Sequence, residues 1–113
     1  MRKLASPRRG RVYQGDVLAG LLVETEKGFR FTYDPAYLAD AAAPAISLTL
    51  PKRAEPFESR HLFPFFFGLL AEGSMKDLQC RLLKIDEDDA FGRLLATLKG
   101  DVIGSVSVAA DES

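Results

Sequence analysis

Residues 12–33 read VYQGDVLAGLLVETEKGFRFTY, and this stretch decides the fold. Gln14-Gly15-Asp16 is a tight-turn signal between Val12-Tyr13 and Val17-Leu18. Thr25-Glu26-Lys27-Gly28 is the next turn, where Gly28 can take a positive φ without steric cost. Phe29, Phe31 and Tyr33 then alternate with Arg30 and Thr32, and a period of two puts the three rings on one face of a strand. The pattern is a meander of strands. Rings beside arginines on a sheet can stack bases. The aromatic-glycine signature of RNA-binding sheets is missing, so the rings read as core.

Working outward toward the N-terminus, Met1 to Arg11 holds five cations and no acid, with Pro7 and Gly10. It reads as a flexible basic arm (residues 1–11) ahead of a single domain (12–113), either a solvated tail or a phosphate or partner contact. Toward the C-terminus, Asp34 is an N-cap and Pro35 the first residue of a short helix. Ile46-Ser47-Leu48-Thr49-Leu50 alternates and predicts a strand ended by Pro51, followed by a polar loop over Lys52 to Arg60. Leu62 to Leu70 predicts a helix apolar on two faces, which must be central or give one face to a partner. After the break at Glu72-Gly73, Ser74 predicts a capping-box start for a helix striped by Met75, Leu78 and Leu82. Cys80 lies off that stripe and reads as inert.

Asp86-Glu87-Asp88-Asp89 could be half a metal site, but reads more simply as carboxylates at a helix N-terminus. Phe91, Leu94, Leu95 and Leu98 supply the apolar face of that helix, Gly100 its stop, and Val102 to Ala109 a closing strand bent at Gly104. The fold class is therefore α+β: a small antiparallel, curled and barrel-like sheet packed with about three helices.

Composition narrows function by exclusion. The 113 residues are 47% hydrophobic and 27% charged, which suits one globular domain and not a disordered chain. Lys and Arg total 15 against 16 acids, so no global basic field attracts nucleic acid or anionic lipid. One Cys and one His cannot form a disulfide or a closed zinc site, and both suit a reducing cytoplasm. No phosphate loop, G-x-G-x-x-G or nucleophile–base spacing is present, and no apolar run reaches the roughly 20 residues that span a bilayer. His61 reads as an ordinary loop residue.

The order of motifs resembles the opening of HipA-family toxins. The resemblance runs through Phe29-Arg30-Phe31-Thr32-Tyr33-Asp34-Pro35 and the Pro44 to Pro51 segment. It continues through Pro64-Phe65-Phe66-Phe67-Gly68-Leu69-Leu70-Ala71-Glu72-Gly73, Ala90 to Leu94 and Gly100 to Ser107. Ala71 stands where the family usually has Pro, and Ser74 where short members often carry a large aromatic. The resemblance implies the non-catalytic N-terminal subdomain of a serine/threonine kinase. In split, tripartite systems a short HipS-like antitoxin of this kind binds and restrains a HipT-like kinase beside a HipB-like helix-turn-helix protein. It thus implies no catalysis and no cofactor, a cytoplasmic location, no membrane, and DNA contact only through the complex. A truncated piece of a toxin kinase and a small nucleic-acid module are the alternatives. The expected partner edge is Phe67, Glu72, Gly73, Ser74 and Met75, with Met75 alternatively a core residue beside Leu78 and Leu82.

Overall fold

The computed structural model describes residues 8–97 and 106–111. Chain order is β1 (Arg9–Gln14), β2 (Val17–Thr25), β3 (Gly28–Tyr33), α1 (Pro35–Ala39), β4 (Phe57–Ser59), α2 (Pro64–Phe67), α3 (Gly73–Leu83), α4 (Ala90–Thr97) and β5 (Val106–Ala110). The strands form one antiparallel sheet in the order β4-β3-β2-β1-β5. The class is α+β as expected. Among the described residues the sheet is open and is packed with four helices rather than three.

The meander follows its turn residues. Gln14 pairs with Val17 across a two-residue turn in which Gly15 has φ 64°, and Thr25 pairs with Gly28 across Glu26-Lys27. Strand alternation sends Val12, Leu22, Phe31 and Tyr33 into the core. There they meet Phe63 and Phe66 from around α2 and Phe91 and Leu94 from α4. Phe29 packs edge-on against Phe91, centroids 5.6 Å apart. The aromatic face is thus core, and Phe31 and Tyr33 are closed to base stacking. Asp34 caps α1 by accepting from the Ala36 N–H at 3.1 Å.

Four local expectations are corrected. First, Ile46 to Leu50 is no strand. Ser47 Oγ accepts from the Thr49 N–H, and the Leu50 N–H reaches the Ser47 carbonyl at 3.1 Å. Hydroxyl residues between two prolines thus close a turn instead of extending a ladder. Ile46 and Leu50 are buried, while Leu48 is 101% exposed at the tip. Second, the loop over 52–60 contains β4, whose Phe57 pairs with Phe31. Third, the helix expected over Leu62 to Leu70 lasts four residues. Beyond it the Leu69 and Leu70 N–H groups turn back to the Phe66 and Phe67 carbonyls, three residues earlier. Fourth, the basic arm does not extend to Arg11. β1 begins at Arg9, and Arg8 is tied to the fold by ion pairs. Residues 1–7, and the expected features at Leu98, Gly100 and Val102 to Ser105, lie outside the described residues.

Candidate interaction surface

The residues named as a partner edge gather where α2 hands over to α3. Phe67 ends α2 and is 53% exposed. Glu72 is the residue before α3, in extended conformation, and its carboxylate makes no cap hydrogen bond. Gly73 opens the helix with φ 64°, a conformation that favours glycine. Ser74 was expected to cap the helix; it lies inside the first turn instead, and the cap position falls to Glu72. Phe67, Glu72 and Gly73 share one cavity of about 150 Å³ with Leu70, Lys76 and Arg93. Ser74 and Met75 are exposed and do not line it.

The floor of the cavity is Arg93, buried at 4% exposure, whose Nη2 donates to the Ala71 carbonyl at 2.6 Å. That bond ties α4 to the turn before α3. Sequence periodicity did not mark Arg93, because it falls between the apolar positions Phe91 and Leu94.

The stripe of α3 faces solvent, against the alternative that places Met75 in the core beside Leu78 and Leu82. Met75, Leu78 and Leu82 are 52%, 44% and 70% exposed, whereas Cys80 is buried at 7%. The stripe is no part of the core, and Cys80 is the buried residue of the helix.

A second charged cluster clamps the far side of α4. The Arg8 guanidinium donates to both Glu24 oxygens at 2.8 Å and to both Asp89 oxygens at 2.9 and 3.0 Å. It also lies over the Phe91 ring, 5.4 Å from its centroid. Asp89 caps α4 by accepting from the Gly92 N–H at 3.0 Å, as the acidic run led us to expect. The hydrogen bonds from Arg8, then that from Gly92, hold the Asp89 carboxyl below its ordinary pKa, and the same carboxylates hold Arg8 above its own. No group of three or more possible metal ligands gathers among the described residues, and no described helix is long and apolar enough to cross a membrane. His61 is exposed, and its backbone N–H donates to Ser59 Oγ at 3.3 Å.

The family description "HipA N-terminal domain" matches residues 10–109. The chain belongs to the HipA N-terminal domain family. A solved structure titled "N-terminal domain of HipA toxin" superposes with a TM-score of 0.70 at 35% identity, covering 100% of this chain and 99% of that one. An uncharacterized protein of Haemophilus influenzae is 36% identical over 101 residues, 89% of this chain and 91% of its own length. A Sinorhizobium fredii protein named "Putative kinase Y4mE" is 34% identical over 96 residues, which are 85% of this chain and 23% of that protein. The HipA N-terminal domain thus recurs both in a relative of similar size and as under a quarter of a much longer, kinase-named one.

Proposed function

We propose that this chain is a non-catalytic, HipS-like antitoxin subunit that binds and restrains a HipA-like serine/threonine kinase, in a cytoplasmic complex that includes a HipB-like helix-turn-helix protein. The observation that carries this is the double occurrence of the domain. The same unit that accounts for 23% of a kinase-named relative makes up 91% of another. A domain that sits beside a kinase in one polypeptide has a surface suited to the same neighbour when the two are separate chains. The edge formed by Phe67, Glu72, Gly73, Ser74 and Met75 is the contact, because its apolar members face solvent and its backbone is held by Gly73 and Arg93.

The test is direct. The purified chain is titrated against each HipA-family kinase encoded in the same genome, and kinase autophosphorylation is followed with radiolabelled ATP. Submicromolar binding with loss of autophosphorylation is expected. The chain alone should transfer no label with magnesium, since the positioned nucleotide and metal that phosphoryl transfer needs have no site among its motifs. Met75→Glu should weaken binding with little change in melting temperature, because Met75 is half exposed. Binding to none of these kinases, or magnesium-dependent transfer by the chain itself, overturns the reading.

The 34% identity to Y4mE over 85% of this chain favours one second reading, an inactive N-terminal part of a longer toxin kinase. The adjacent reading frame separates the two: a kinase in its own frame supports the first, and a continuous frame the second.

A further inference from the structure

α3 turns its apolar stripe outward. The residues it sets against its own domain are Lys76, Gln79 and Cys80, the three positions of its middle turns that are not fully exposed. Met75, Leu78 and Leu82, at i, i+3 and i+7, form one stripe facing solvent, and Cys80 projects nearly opposite it. Leu83 and Phe67 add two more exposed apolar side chains at the helix end and at the cavity before it. A helix of 11 residues is marginal in water and normally owes its stability to packing its apolar face. Here that face is the exposed one, and among the described residues no element covers it.

The occupant can be narrowed. A membrane surface is a poor cover, because the exposed polar residues beside the stripe, Asp77 and Arg81, are of opposite charge rather than uniformly basic. A second copy is also a poor cover. An 11-residue helix is only about 16 Å long, and two such stripes laid together fall short of the roughly 800 Å² a side that a stable interface takes. A larger heterologous surface can reach the stripe, Phe67 and the cavity together. The longer relative carries this domain joined to more than three times its own length of further chain, under a kinase name.

We propose that the outward stripe Met75–Leu78–Leu82 of α3 is a docking surface for the body of the kinase, extending the turn edge along the whole helix. This rests on the kinase-binding reading above and makes the helix, beyond the turn, the larger part of the contact. Asp77 and Arg81 form the polar rim of a patch whose centre is apolar.

The test is the double variant Leu78→Glu/Leu82→Glu in the full chain, with Leu48→Glu as a control at an exposed apolar residue of another element. Binding to the cognate kinase is read by titration calorimetry, folding by thermal denaturation, and association by sedimentation. We expect at least a 100-fold loss of affinity in the double variant, a melting temperature within a few degrees of the parent, and unchanged binding by Leu48→Glu. Retained affinity in the double variant overturns the stripe while leaving the kinase reading in place. A melting temperature lowered by many degrees makes the stripe part of the domain's own packing and overturns it too. A parent chain that sediments as a dimer and a variant that sediments as a monomer assign the stripe to a second copy. A parent that binds no kinase removes this proposal and the reading beneath it together.

Discussion

Single side chains hold together the segments that lack regular structure. The Tyr33 hydroxyl accepts from the Ile46 N–H at 3.1 Å and donates to the Leu50 carbonyl, so one buried group satisfies both ends of the turn over 46–50. Tyr33→Phe leaves two buried backbone groups without that partner and should lower stability by about 1–3 kcal/mol in urea titration. Tyr37, which donates to the Pro44 carbonyl at 2.5 Å, satisfies one group, and Tyr37→Phe should lower it by less. Burial first of all raises the Tyr33 pKa above 10.0. The unfolded chain therefore ionises first, and stability that is intact below pH 10 is lost as the pH rises toward the native value. Asp89 works in the opposite direction. Its native pKa lies below 3.8, chiefly through the hydrogen bonds from Arg8, so its contribution is whole above that value and is lost as the pH falls through the native one. Asp89→Asn keeps a capping side chain and removes the charge. It should cost about 0.5–1 kcal/mol at neutral pH, the partly exposed pair being screened, and should flatten the acid limb of the stability–pH profile. An unchanged acid limb would show that the pair contributes nothing there.

Elements were legible in the sequence where local signals and packing agreed. The hairpin turns at Gly15 and Gly28, the Asp34 cap and the acidic start of α4 all combine a turn or cap residue with the correct apolar period, and all stand where the sequence placed them. Ile46 to Leu50 misled because its alternation correctly marks Ile46 and Leu50 as buried, yet Ser47 and Thr49 bond the backbone locally instead of leaving it for a ladder. α3 misled for a different reason. Its period is helical and its stripe is real, but periodicity reports that a face is apolar and not what covers it. Of the expected site, Phe67, Glu72 and Gly73 come together in one cavity, whereas Arg93 beneath them had no signal in an apolar period. The end of α3 carries a further consequence. Lys84 adopts a left-handed conformation, φ 55° and ψ 47°, and the Ile85 N–H closes back on the Cys80 carbonyl at 3.0 Å, an arrangement that favours glycine. Lys84→Gly should therefore stabilise the domain by about 0.5–1 kcal/mol in thermal denaturation. A loss of stability would mean that the Lys84 side chain does more than its backbone costs.

At the scale of the whole molecule, charge and burial together limit what the chain can do with DNA alone. Fifteen cations face sixteen acids, so no long-range field draws in a polyanion. The densest basic stretch is the N-terminal one, and the fold has already engaged part of it. Arg8 is spent on Glu24 and Asp89, and the Arg9 Nε lies 3.9 Å from Asp111. By sequence the stretch holds three further cations, Arg2, Lys3 and Arg11, which would make about three phosphate contacts at most. The sheet adds nothing to them, because Phe31 and Tyr33 are sealed in the core and Arg30 lies 3.7 Å from Glu58. The isolated chain should accordingly bind duplex DNA more weakly than micromolar at physiological salt, without sequence preference. Its logarithmic salt slope should be no steeper than about −3, since each neutralised phosphate contributes roughly −0.9. Fluorescence anisotropy of labelled duplexes between 50 and 200 mM salt reads both quantities. If the proposed complex is correct, tight, sequence-selective binding should appear only in mixtures that contain the helix-turn-helix protein. A submicromolar, sequence-selective complex with the chain alone would place a DNA-reading surface on this domain and overturn the proposal that a helix-turn-helix subunit reads the DNA.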